Sequence, residues 1–184
     1  MDADFDAAVL GLALPPAVEQ ALREAGAARG DAVAAMAALM RAQALAPEHP
    51  AVLIAFYRHH FYAHRLRLAR DVARRALVVG ARALALPAAW REVPKQPLPG
   101  ARHEPRTRFY LFVLKGYAYL NLRLDDAAEA RDALALLRAL DPEDCVGGAL
   151  LEAVRLRSAD PDAEAEAYLP ATGAAAWARL PATA

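Results

Sequence analysis

Three histidines stand close together at 59, 60 and 64. His60 and His64 are four residues apart, so on a helix both imidazoles share one face, a spacing that can hold a divalent metal. No Asp or Glu completes a ligand set beside them, and packing and solvation are the expected roles. The single cysteine, Cys145, follows Asp141-Pro142-Glu143-Asp144 at an expected helix start. A helix N-terminus lowers a thiol pKa, but the three carboxylates just before it oppose that, so Cys145 reads as a packing residue. One cysteine also excludes an intramolecular disulfide and any multi-cysteine zinc or iron–sulfur centre. The only serine, Ser158, lies in Arg-Ser-Ala-Asp and not in a nucleophile elbow. Gly147-Gly148 is a bare pair, and no Gly-rich phosphate loop is present. The expectation is no enzyme, no metal and no cofactor.

The remaining chemistry is charge. Arg65, Arg67, Arg70, Arg74 and Arg75 form the densest basic run, and Arg67, Arg70 and Arg74 share one helix face by their spacing. Net charge is zero overall, but residues 1–50 carry about −4, residues 51–110 about +9 and residues 111–184 about −5. A nucleic-acid reader usually combines such a patch with a basic domain, and here Asp71 interrupts the run within a neutral chain, which argues against DNA or RNA. The basic face is either a solvated helix surface or a docking surface for an acidic partner, including a second copy of the chain.

These groups must be positioned by helices. A chain of 184 residues with 57% hydrophobic content is long enough for one domain with a sizeable core and too apolar to be disordered throughout. Ala, Leu and Arg dominate, all good helix formers, and no segment alternates apolar and polar residues as a strand would. No run of about 18–20 apolar residues offers a membrane span. The start, Met-Asp-Ala-Asp-Phe-Asp, is acidic where a signal peptide is basic, and the expected location is cytoplasmic. Pro15-Pro16, Gly30-Asp31, Pro47 to Pro50 and Asp141 to Asp144 punctuate the helices.

A period of 34 residues relates the helical stretches. Counting from Pro16, Leu22, Gly30, Ala35 and Ala42 occupy positions 7, 15, 20 and 27; counting from Pro50, Phe56, His64, Ala69 and Ala76 occupy the same places. A third unit from Arg108 places Leu114, Ala127 and Leu134 at 7, 20 and 27, and the next shift lands on Pro142. Small residues at 20 and 27 let two helices of a pair lie close, while a large residue at 7 fills the space between them.

With these residues the chain resembles the tetratricopeptide-repeat family over about residues 16–157. The resemblance implies an all-α solenoid of about three helical hairpins, at 16–49, 50–83 and 108–141, with a capping helix at 142–157, all within one domain spanning 1–160. In that family the first helix of each hairpin lines a concave groove. Carried over, the groove presents Ala17, Gln20, Glu24, Ala27 and Ala28, then Ala51, Ile54, Arg58, Phe61 and Tyr62, then Phe109, Phe112, Gly116, Tyr119 and Leu120. It is polar at its entry and aromatic further along. Only Arg58 resembles the cation set with which family members grip a C-terminal carboxylate. The implied function is protein–protein interaction without catalysis: capture of an apolar peptide or helix, as in repeat-built secretion chaperones. An accessory subunit docking through the basic middle is the alternative. The same aromatics could instead be ordinary core.

Residues 84–107 break the period. They hold Pro87, Trp90, Pro94, Pro97, Pro99 and Pro105, too many prolines for a continuous helix. A loop this long is usually functional or disordered. Two roles are expected for it: it folds over the groove and places Trp90 there, or it packs on the surface around its own Trp. Residues 161–184 form a tail in which Trp177 and Leu180 are expected to dock on the repeats. The sequence leaves open whether the chain is a monomer or a weak homo-oligomer.

Overall fold

The computed structural model describes residues 14–28 and 30–159, so the expected docking of Trp177 and Leu180 lies outside the described residues. Seven α-helices and one short 3₁₀ turn make up the described chain, with no strand. They are α1 (Pro16–Ala27), α2 (Ala32–Leu45), α3 (Pro50–Tyr62), α4 (Leu66–Ala83), α5 (Pro105–Arg123), α6 (Ala127–Leu140) and α7 (Ala149–Ala159).

The helix starts follow from local chemistry. Pro16, Pro50 and Pro105 each occupy a first helical turn, where the missing N–H costs nothing. The Asp31 carboxylate accepts from the N–H groups of Val33 and Ala34 at 3.0 Å, and Asp126 accepts from Glu129 N–H at 3.3 Å. Glu104 caps α5 by accepting from Thr107 N–H at 2.5 Å. The turns after α3 and α5 each pass through a left-handed residue, His64 (φ 55°) and Asp125 (φ 61°), which reverses the chain within three residues.

Three antiparallel hairpins result: α1–α2, α3–α4 and α5–α6. Successive hairpins stack. Arg70 meets Asn121, Arg74 meets Tyr117, and Gly80 lies under Tyr110, so α4 and α5 run antiparallel in close contact. On the other side Tyr57 abuts Gly116 and Phe61 abuts Tyr119, so α3 and α5 run parallel. This is an all-α helical-hairpin solenoid with a last helix, α7, after the third pair. Ala35, Ala42, Ala69 and Ala76, the small positions of the first two units, are all buried at 5% exposure or less.

The third unit departs from the expected register. Tyr57 beside Gly116 fits a count from Arg108, but α5 begins a turn earlier, at Pro105, and continues to Arg123. Its 19 residues exceed the 13 of α3, and the extra turn displaces the second helix. Ala127 is therefore exposed, and Ala130, fully buried, takes the small position.

The capping helix also differs from the expected 142–157. Residues 142–148 form turns, and α7 starts at Ala149. Asp144 (φ 52°) and Gly147 (φ 71°) take left-handed conformations. Asp141 Oδ2 accepts from Val146 N–H at 3.0 Å, and Asp144 Oδ1 accepts from Gly148 and Ala149. Asp side chains thus satisfy the backbone locally and compete with the helix. Cys145 sits in this turn and not at a helix start.

The core centres on α5, where Tyr110, Leu111, Phe112, Leu114, Tyr117 and Leu120 are all at or below 1% exposure. Each such side chain stabilises the fold by about 1.5–3 kcal/mol relative to exposure. The inserted segment is ordered against this core. Val93 is 3% exposed, Trp90–Glu92 forms the 3₁₀ turn, and Leu98 N–H donates to the Leu140 carbonyl at the end of α6 at 2.9 Å.

Candidate functional site

α3 and α5, the first helices of the second and third hairpins, lie side by side on one side of the stack. The structure divides the expected groove residues into two sets. Ile54 (5% exposed), Phe109 (2%) and Phe112 (1%) are core. Ile54 borders a narrow apolar cleft with Leu53, Tyr57, Val72, Ala73, Ala76 and Val113, between α3, α4 and α5. Phe109 packs where α4 has Gly80, whose missing side chain leaves room for the ring. Phe112 lies beneath the Arg108 guanidinium and the Lys115 ammonium, 5.2 and 5.4 Å from its ring centre. Lys115 in turn donates to the Val146 carbonyl in the turn before α7.

The second set reaches the surface. Tyr62 is 60% exposed, and Arg58, Phe61 and Tyr119 are half-buried. Their positions follow from the parallel pairing of α3 and α5, which brings the last turns of both helices to the same edge. Phe61 stacks on Tyr57 with ring centres 5.8 Å apart, meets Tyr62 edge-on at 5.5 Å and lies 5.9 Å from Tyr119. Arg123 donates to the Tyr119 hydroxyl at 2.9 Å and places its guanidinium 5.8 Å from that ring's centre. Sequence reasoning missed Arg123; its place four residues after Tyr119 on one helix was the available signal. Burial pushes the Tyr57 phenol well above its ordinary value, so it stays neutral.

Gln20 and Glu24 are exposed on α1. Gln20 donates to Glu24 at 2.9 Å, and Arg41 of α2 donates to the same carboxylate. Glu24 is thereby held by its own hairpin. The hydrogen bonds from Gln20 and then Arg41 hold its carboxyl below the ordinary value.

The basic face and the loop belong to a different surface. Arg70 turns inward, donates to Asn121 Oδ1 at 3.1 Å and pairs with Asp126 at 3.6 Å. Arg74 donates to the Tyr117 hydroxyl at 3.4 Å, and that hydroxyl donates to Glu129. Arg67 is exposed. Two of the three arginines expected to form a docking face therefore join α4 to α5 and α6. Trp90 packs its ring 6.0 Å from Tyr117, and Arg91 covers Trp90 and donates to Glu129 at 3.2 Å. Burial opposes ionisation of Glu129, but hydrogen bonds from Arg91 and Tyr117 outweigh it and hold the carboxyl below its ordinary value.

At about 100° per residue, Tyr117 points about 160° away from Tyr119 around α5. The loop thus covers the side opposite the aromatic edge, between α4 and α6, and Trp90 does not enter the groove. The reason is the pairing of Arg91 with Glu129 and Asp132 on α6, which draws the segment across that face.

The histidines do not form a ligand set. No group of three His, Cys, Asp or Glu is placed to hold a metal among the described residues. His60 is 9% exposed, its ring 5.5 Å from that of His59 and 6.2 Å from Phe56. Burial first, then the charges of His59 and Arg65, lower its pKa. Partial desolvation, followed by the Asp141 hydrogen bond and charge, pushes the Cys145 thiol up, the opposite of an activated thiolate. No helix among the described residues is long and apolar enough to cross a membrane.

No protein-family model and no solved structure matches the chain. One curated relative is an uncharacterized 19.8 kDa protein in the nifW 5' region of Azotobacter chroococcum mcd 1. It is 37% identical over 150 residues, covering 80% of this chain and 84% of that protein. The chain belongs to the family of this Azotobacter protein.

Proposed function

We propose that the chain is a tetratricopeptide-like interaction module that captures an apolar peptide or helix of a partner protein and catalyses nothing. The observation that carries this reading is the aromatic edge formed by Phe61, Tyr62 and Tyr119 where the last turns of α3 and α5 come together. Tyr62 packs edge-on against Phe61 and still keeps 60% of its surface in water. Rigid aromatics offer contact area at low entropic cost and serve as anchors in interfaces. The half-buried Arg58 and the exposed Arg123 at the border favour a ligand that carries carboxylates beside its apolar anchor.

The test is selection of binding peptides from a displayed random library, followed by calorimetry with the winners. Phe61→Ala is expected to weaken binding at least tenfold, since a central aromatic anchor contributes about 2 kcal/mol or more. Selected peptides whose affinity is the same for wild type and for Phe61→Ala, Tyr62→Ala and Tyr119→Ala would refute the groove. The reading through the basic middle has less support, because Arg70 and Arg74 are engaged within the fold.

A further inference from the structure

The two helices that build the aromatic edge share a compositional peculiarity. Neither α3 nor α5 contains a single Asp or Glu, while together they carry Arg58, Arg106, Arg108, Lys115 and Arg123. Glu24, the acidic residue of the expected groove set on α1, is held by Arg41. Of the cations on α3 and α5, Arg58 and Arg123 border the aromatic edge, and the complement of that edge is an aromatic side chain flanked by carboxylates. The chain contains that complement. Residues 2–6 read Asp-Ala-Asp-Phe-Asp, with Phe5 between two carboxylates, followed by the apolar run from Ala7 to Leu14.

We propose that this protein's own residues 2–10 occupy the groove when no partner is bound, with Phe5 seated on Phe61, Tyr62 and Tyr119 and the neighbouring aspartates facing Arg58. The proposal rests on the groove reading above and adds its occupant. Reach supports it. Leu14 is packed against the core just before α1, and thirteen residues precede it. Phe5 lies nine residues before Leu14, and at about 3.3 Å per extended residue it reaches roughly 30 Å, about three times the ~10 Å between neighbouring helix axes, so the segment can cross from α1 to α5. Charge supports it too, since an acidic segment meets two helices that carry no acid. A partner peptide then competes with an intramolecular ligand, and the groove opens only to segments that match or exceed this chemistry.

The experiment uses the full chain with the photo-cross-linker p-benzoylphenylalanine in place of Phe5. Irradiation and peptide mass spectrometry are expected to give cross-links within one chain to residues 58–62, Tyr119 or Arg123. Cross-links to the outer face of α2, to residues 160–184 or to a second copy would overturn the proposal. A second measurement separates this inference from the groove reading. With a library-selected peptide as the probe, Phe5→Ala in the full chain is expected to raise affinity about tenfold if the segment fills the groove nine-tenths of the time. Asp4→Asn with Asp6→Asn is expected to act in the same direction, more weakly at high salt. Equal affinity for wild type and both variants would overturn self-occupancy and leave the groove standing. A library that yields no groove ligand would refute the groove as a partner site, while the cross-links alone decide whether residues 2–10 lie there.

Discussion

His60 shows how one buried side chain sets a condition on the whole fold. Its Nδ1 is buried without a hydrogen-bond partner among the described residues, and the site packs it against Phe56 and His59. Burial disfavours a cation there, and the charges of His59 and then Arg65 add to it, so its pKa falls below the ordinary 6.5. His59 is lowered as well, by burial and then Arg65. The unfolded chain consequently takes up protons first as pH falls, so stability is highest above about pH 6.5 and declines as the pH drops through that value toward the folded-state values. Chemical denaturation at a series of pH values between 8 and 5 checks this. His60→Phe is expected to flatten the slope, since a neutral ring fills the same space beside Phe56. An unchanged slope in that variant would assign the dependence to other groups.

The α4–α5 contact is close enough to be tested by a single substitution. A side chain at Gly80 would begin 3.1 Å from Tyr110 and 3.3 Å from Phe109, two buried rings with little room to yield. Gly80→Leu is expected to destabilise by about 1–3 kcal/mol or more through overpacking, read as a lower urea midpoint. The inserted segment makes the complementary case. Trp90→Ala removes the contact with Tyr117 and the surface under Arg91, and is expected to cost about 1–2 kcal/mol while leaving peptide affinity unchanged. A change in affinity would mean the loop communicates with the groove. What could be read from sequence at this scale was local. The alanines at matching places in two units and the prolines at helix starts located the first two hairpins, because small residues at a close crossing and Pro at a first turn answer to nearby geometry. The third hairpin was misread because its first helix is longer, a fact fixed by how far the core extends along α5. The path of residues 84–104 was hidden for a similar reason: it depends on Arg91 meeting Glu129, 38 residues away. Phe109 and Phe112 are expected groove residues of the same type as Phe61, and only the neighbours that cover them make them core.

Across the molecule burial is unevenly shared. α5 has twelve buried residues and touches the helices on both sides, whereas α1 has two, Val18 and Ala21. The first hairpin joins the rest through Val18, Ala21, Leu39 and Ala42 in the shared core, and the turn that follows it joins α4 through the exposed Arg82–Glu48 ion pair. An exposed pair of that kind contributes at most about 1 kcal/mol. Its outer face adds no further anchor, since Val33 and Met40 are 81% and 61% exposed. Opening free energy follows buried apolar contact, so the solenoid should unfold from this end. Amide hydrogen exchange followed by mass spectrometry is expected to show α1 and α2 exchanging through a partial opening, with α4, α5 and α6 protected to the level of global unfolding. If residues 2–10 also bridge α1 to α5, Phe5→Ala should speed exchange in α1 and around Arg58 to Tyr62 together. Equal protection across all three hairpins would show that the first is bound as firmly as the others, and that the thin seam between α2 and α3 is not where the stack comes apart.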